Sequence, residues 1–383
     1  MKRDNTTSAF FALVSAGLWE DIKVNGEGLK VNDLSLIFSA PIDWQEINRL
    51  AEEQAVVGLV TAGLEHVRDV KVPQEVLLQF VGQALLIEQQ NQAMNSLIEK
   101  LVEDMRHAGI YALLVKGQGI ALCYERPLWR SSGDVDFYLS DTYYTKAKYF
   151  FHSLVESFDP DNKTIKHINI NYGPWVVEIH ANQHTGLSIG IDKELDKIHY
   201  DLFNCGNIRC CIFGKTQVFL PAINNDIIIV FTHFIKHFFK GGLGIRQICD
   251  WCRLLWTFRD AIDKHLLEER LNAMGLGTEW KAFAAFAVEY LGAPSDFMPL
   301  YSNDARWKKK ARRIKNFILE VGNFGHNRDL SYYSKYSFIV RKSISFGRRC
   351  SDFARHVKIF PLDSLRFFPP VVYHGIRYAI RGE

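Results

Sequence analysis

The sequence predicts an α+β protein, a small mixed-sheet module flanked by helical N- and C-terminal segments. Three observations carry this. Apolar residues recur at intervals of three and four up to residue 107 and again beyond Pro221. Short runs with β character crowd between these two stretches. With 383 residues, 48% hydrophobic and 23% charged, the chain can bury at least one sizeable core. The expected division is a helical segment over 1–107, the sheet module over 108–205, a helical domain over 206–305 and a basic aromatic segment over 306–383.

The elements follow in order. Lys2 and Arg3 precede the apolar stretch Ala9–Trp19, which loosely mimics a signal peptide. Asp4–Ser8 separate the charges from that stretch, and Glu20 and Asp21 follow it without a small-x-small cleavage site, so it reads as a short helix. Residues 42–66 carry helical periodicity, and 74–107 continue as one long helix. Ile110–Val115 is a short apolar strand ended by Lys116-Gly117-Gln118-Gly119, and Ile120–Tyr124 is a helical turn. A loop over 125–133, rich in Pro, Ser and Gly, leads into the strand Asp134–Leu139. Thr142–Val155 is a helix capped by Ser140 or Asp141. Strands at 165–171 and 175–180 join through a hairpin turn at Tyr172-Gly173-Pro174. Helices return at 224–239, 244–258 and 264–274.

Several classes drop out. No apolar run approaches the ~18–20 residues of a bilayer span. Seven cysteines without regular spacing exclude a disulfide framework. Cys249 and Cys252 form one CxxC, and Cys205, Cys210 and Cys211 a second cluster, so a four-thiolate zinc site is conceivable. Because the CxxC sits in a helical stretch without a knuckle glycine, buried free thiols are the better reading. The protein reads as cytoplasmic and reduced.

The net charge of +3 hides an asymmetry: residues 306–383 hold 18 Lys/Arg against 5 Asp/Glu. Tyr332, Tyr333, Tyr336, Phe338, Phe346 and Phe353 interleave with those bases. The pattern suits an anionic partner, either nucleic acid or a membrane surface. The plainer and favoured reading is a basic tail packed on the acidic body of its own chain.

Asp134 and Asp136 stand two apart on a strand, so both carboxylates project from one face while Val135 and Phe137 point into the core. Adjacent carboxylates repel, and a hard cation such as Mg²⁺ relieves the repulsion. A surface strand can alternate charges without function, but three neighbours raise this pair above that reading. Lys116-Gly117-Gln118-Gly119 follows a buried strand and opens a helix, where backbone N–H groups can approach a phosphate. It is neither a P-loop nor a G-x-G-x-x-G loop, since Leu122 stands where the third glycine belongs. Glu178 is a carboxylate in an otherwise apolar strand, and Arg130 sits just before the Asp pair. The set suits metal-assisted phosphoryl or nucleotidyl transfer.

The run LLVKGQGIALCYERPLWRSSGDVDFYL over 113–139 resembles the uncharacterised nucleotidyltransferase family of bacteria, within the polymerase-β-like superfamily. That family's pattern is close to KGxxLA…YxxPxxRxxGDIDLLV. The resemblance continues through 42–60, 175–180 and 231–251, covering most of the chain and the basic tail least. Gly117-Gln118-Gly119 departs from the Gly-Gly or Gly-Ser pair of the wider superfamily, and its distance from Asp134 is longer. The resemblance implies that Asp134, Asp136 and Glu178 hold two Mg²⁺ ions, with Glu178 also a general base. It implies that Lys116, Gly117 and Gly119 meet the nucleotide phosphates, and that Arg130 offsets charge on the transferring group. An acceptor hydroxyl would attack the α-phosphorus of an NTP and release pyrophosphate. The acceptor would be a small molecule, a saccharide, a protein or tRNA.

His180, two after Glu178, is expected to hydrogen-bond a carboxylate beside the site; a zinc site of His167, His180 and His184 is the sharper alternative. His233 and His237 stand four apart without the glutamate of H-E-x-x-H, and Arg246 with Asp250 reads as a helix ion pair. Structural roles are expected for all four, and for the aromatic stretch Trp251–Phe258. Two other functions remain open at this stage: a catalytically silent nucleotide-binding module, and a nucleic-acid-binding protein acting through its tail.

Overall fold

The computed structural model describes residues 2–20, 37–38, 41–66, 72–154, 166–323 and 335–381. Asp21, Val155, Ile165, Tyr332 and Tyr333 lie outside them. Helix α1 (Lys2–Leu18) is a core element, with Phe10, Leu13 and Val14 fully buried. Helices α2 (Trp44–Glu53) and α3 (Val57–Glu65) occupy the stretch expected to be helical, with a break between them. The break has a tertiary cause. Gln54 is buried, and its Oε1 accepts the backbone N–H of Ile245, while Ala55 takes φ +54° to restart the chain. Helices α1 and α3 touch backbone to backbone: a Cβ on Gly17 would lie 2.0 Å from the Leu59 carbonyl oxygen, and one on Gly63 2.1 Å from that of Leu13.

Helix α4 (Gln74–His107) is the single long helix expected. Strand β1 (Leu113–Val115), helix α5 (Gly117–Ala121), strand β2 (Val135–Tyr138) and helix α6 (Asp141–His152) follow, with the Ser140 hydroxyl accepting the Tyr143 N–H as cap. Strands β3 (His167–Tyr172) and β4 (Trp175–His180) form the expected hairpin, Tyr172 pairing with Trp175 across a turn in which Gly173 takes φ +59°. Helix α7 (Ile189–Phe203) precedes strands β5 (Ile208–Phe213) and β6 (Thr216–Pro221). These two strands lie within the 206–305 span given to the helical domain, ahead of its first expected helix at 224. The sheet therefore runs on past residue 205 to Pro221, because β6 pairs parallel to β1 and buries Val218 and Leu220 beside Leu114.

The sheet order is β3-β4-β2-β1-β6-β5, with parallel β2/β4 and β1/β6 pairs and antiparallel pairs elsewhere. One face packs on the C-terminal half of α4 and on α6, through Met94, Ile98, Leu101, Tyr144 and Phe151. The other face looks towards helices α8 (Ile223–Lys240) and α9 (Ile245–Thr257) and carries the polar side chains discussed below. Helices α10 (Lys264–Met274) and α11 (Gly277–Leu291) complete a larger second core around Trp251, Trp280 and Phe283.

The tail forms α12 (Ala305–Val321), α13 (Phe338–Ile359) and α14 (Pro361–Arg381). It docks on the body through apolar contacts as well as charge. Phe360 and Phe367 enter the larger core, and Phe238 meets Phe317, His356 and Phe360. Three of its bases serve helix ends, Lys310 and Arg313 donating to the carbonyls of Ile359 and Lys358 and Arg366 to that of Met274, while Lys308 pairs with Glu289 of α11 and Arg355 with Glu320. All seven cysteines are free; Cys123, Cys249 and Cys252 are buried, whereas Cys205 and Cys210 are exposed. Among the described residues no helix is long and apolar enough to cross a membrane.

Candidate active site

Strand register builds the site. Asp136 pairs with Glu178 across the parallel β2/β4 ladder, so their side chains rise from the same face of the sheet. Asp134 precedes β2 by one residue, and Val135 and Phe137 turn into the opposite core as expected. Asp134, Asp136 and Glu178 each bring a carboxylate oxygen within 4.8 Å of the others. They floor a cavity of about 300 Å³ whose walls include Lys116, Gly117, His180, His233, Lys236 and Arg246.

The charges are arranged in a graded way. Burial, followed by the carboxylates of Asp136 and Glu178, pushes Asp134 up to about 6. Burial also opposes ionisation of Asp136, but the Lys116 ammonium and His180 outweigh it and hold its carboxyl below the usual range. Lys116 Nζ donates to Asp136 Oδ1 at 2.7 Å, and His180 Nε2 lies 2.9 Å from the same oxygen. Glu178 is likewise held well below the usual range, burial being overcome by hydrogen bonds from His167 and His180. Three clustered carboxylates, one still titrating near pH 6, form an oxygen-only donor set that fits a hard divalent cation.

Lys116 reaches Asp136 from a strained turn, at φ +57° and ψ −144°. Gly117 follows at φ +38° and borders the cavity. Gly119 does not: a Cβ there would lie 2.6 Å from Leu220 Cδ2, so this glycine lets α5 sit against the sheet. Gln118 is buried and donates to Asn91 Oδ1, while Asn91 donates to the carbonyls of Leu128 and Arg130. The glycine stretch is thereby fastened to the loop that carries Arg130.

Arg130 lies near the Asp pair as expected, but its guanidinium is engaged. Nε and Nη2 each donate to the Asp250 carboxylate at 2.7 Å, and Tyr124 donates its hydroxyl to Asp250 as well. Asp250 is thus unavailable for the helix pair with Arg246, because a bidentate fork outcompetes a single i,i+4 contact. Arg246 instead donates Nη1 to the Ser131 carbonyl, and its buried Nε has no hydrogen-bond partner.

The histidines divide. His184 borders the cavity but pairs with Asp196 and belongs to neither group of residues able to hold a metal. His167 and His180 are cross-strand partners, their rings parallel within 6°. Among the described residues, the two groups able to hold a metal are Asp134/Asp136/Glu178 and His167/Glu178/His180, and neither includes a cysteine.

Three cavity residues on α8 were assigned elsewhere or passed over by the sequence reading. His233, Lys236 and His237 share one helix face that looks into the cavity. Burial and the nearby Lys116 ammonium hold His233 well below its ordinary value, so it is neutral near pH 7. Lys116 Nζ lies 3.5 Å from His233 Nδ1, and His233 Nε2 3.1 Å from His237 Nε2. With an ammonium as donor, Nδ1 of His233 accepts and its Nε2–H is assigned to donate onward to His237. The i, i+3, i+4 recurrence of nitrogen-bearing side chains was the available signal.

Residues 40–292 match the family described as uncharacterised nucleotidyltransferase. This chain belongs to that family. The matched span runs from just before α2 to just after α11, so it contains the whole sheet, all three carboxylates and both cavity-facing helices, and leaves out α12–α14. No curated protein and no solved structure matches the chain.

Proposed function

We propose that this chain is a Mg²⁺-dependent nucleotidyltransferase that moves an NMP from an NTP to an acceptor hydroxyl and releases pyrophosphate. The observation that carries the reading is the Asp136/Glu178 register pair, which sets a carboxylate trio on the floor of the cavity beside Lys116. Asp134, Asp136 and Glu178 would hold two Mg²⁺ ions, which when bound neutralise phosphate oxygens and polarise the phosphorus under attack.

The chain's own residues supply the rest. Lys116 carries its ammonium into the cavity, where donor phosphates would draw it partly from Asp136. Arg246, with Nε unpaired, and Lys236, which makes no hydrogen bond or ion pair among the described residues, offset triphosphate charge from α9 and α8. Arg130 acts through Asp250, holding the 125–133 loop against α9. Gly117 leaves room for a phosphate to approach the backbone. Glu178 is ionised at neutral pH and can take the acceptor's proton as its oxygen bonds to the α-phosphorus and the bond to pyrophosphate breaks. The acceptor class is a hydroxyl on a small molecule, saccharide, protein or tRNA.

NTP consumption by wild type and Asp136→Ala tests the assignment. The reading expects a loss of about a thousandfold or more; equal rates would remove Asp136 from the reaction.

A further inference from the structure

His167 and His180, which hold Glu178 ionised, present an arrangement to which the transfer reaction gives no ligand role. Their Nε2 atoms lie 3.1 and 3.2 Å from one and the same oxygen, Oε2 of Glu178, and His180 Nε2 also lies 2.9 Å from Asp136 Oδ1, a contact it would exchange for a metal. They come from paired positions on the antiparallel β3/β4 hairpin, which fixes both backbones. The side chains are 24% and 13% exposed, and both residues line the cavity. Two imidazoles and one carboxylate thus converge at the wall of an open space.

The spacing suits an ion. Ligand atoms about 2.0–2.2 Å from a common centre stand roughly 3.0 Å apart at octahedral and about 3.4 Å apart at tetrahedral angles. The two nitrogen–oxygen separations fall between those limits. The donor types then select among ions. Imidazole suits zinc-class transition metals, whereas Mg²⁺ prefers oxygen donors and retains water. Two His and one Glu are three protein ligands that leave a further position open, here towards the cavity.

We propose that His167, Glu178 and His180 bind one divalent transition-metal ion of the zinc class, next to the all-carboxylate site and sharing Glu178 with it. The proposal goes beyond the transfer reaction and does not depend on it. The oxygen-only group takes the hard ion and the imidazole group the softer one, so the two sites differ in the metal they select. Glu178 is the ligand common to both.

Co²⁺ titration of the metal-stripped full-length protein tests this, read by visible absorption and by equilibrium dialysis. The expected result is one tightly bound Co²⁺ with a ligand-field spectrum of low coordination number. Asp134→Asn should keep that spectrum, and His167→Ala should weaken Co²⁺ binding tenfold or more. His167→Asn serves if the alanine variant fails to fold. Proton NMR of the wild-type Co²⁺ form gives a readout free of substitutions: two paramagnetically shifted, exchangeable imidazole resonances are expected. A spectrum unchanged by loss of His167, a spectrum abolished by Asp134→Asn, or the absence of shifted imidazole resonances would each overturn the site. Failure here leaves the NTP test untouched, because that test reads Asp136 with Mg²⁺ alone.

Discussion

Arg130 and Asp250 meet through two N–H···O bonds of 2.7 Å, with side chains only 4% and 6% exposed, across 120 residues of sequence. The pair joins the loop before β2 to α9 and so closes one wall of the cavity. It also separates two arginines that look alike in the sequence: one is bound to its carboxylate, and the other keeps a guanidinium nitrogen unpaired beside the carboxylate floor.

Substitution should split the two. Arg130→Ala leaves Asp250 buried without its counter-charge, and breaking such a pair costs about 3–5 kcal/mol. A marked fall in Tm is expected. Arg246→Ala should leave Tm within a few degrees of wild type and raise KM for the NTP about tenfold or more. Paired melting curves and steady-state kinetics check this; a KM effect confined to Arg130 would reverse the assignment.

Asp134 sets a pH dependence. Its folded-state value, about 6, lies above the ordinary carboxyl value, so the folded protein holds this proton more tightly than the unfolded chain. Asp134's own contribution to the stability of the metal-free protein is therefore present below pH 4 and lost as pH rises through 6. A divalent cation must displace the same proton, so its affinity should be level above about pH 7 and fall roughly tenfold per unit below 6. Thermal shift with Mg²⁺ should be large at pH 7.5 and small at pH 5. Equal shifts at both would contradict the value given to Asp134.

Gly119 is a packing residue on this account. Gly119→Ala forces a methyl group against Leu220, at a cost of about 1–3 kcal/mol. KM for the NTP should stay near the wild-type value, provided the variant folds. A large KM change at unchanged stability would put Gly119 back among the phosphate-binding groups.

Much of this was legible locally. The apolar period over 74–107 sufficed for α4, and the alternation around Val135 and Phe137 aimed both aspartates at one face before any neighbour was known. What escaped depends on distant partners. The break at Ala55 follows from Gln54 reaching Ile245, and nothing near residue 54 announces it. Strands β5 and β6 are short, and the residues of β5 that face solvent, Ile208, Cys210 and Ile212, are themselves apolar while Arg209 lies on the half-buried side, so their period was faint. Arg130 was placed in the right neighbourhood but its pairing with Asp250 was not foreseen, since a contact across 120 residues leaves no trace in spacing. The α8 face of His233, Lys236 and His237 carried the right period, yet a helix face reads the same whether it meets a core or a cavity.

The central claim is that the carboxylate floor binds a nucleotide with Mg²⁺. Calorimetric titration of each NTP in the presence of Mg²⁺, repeated on Asp134→Ala/Asp136→Ala, tests it most directly. The account predicts micromolar binding of at least one NTP by the wild type, lost without Mg²⁺ and lost in the double variant. Binding of equal strength in the double variant, or no binding of any NTP by the wild type, would contradict it.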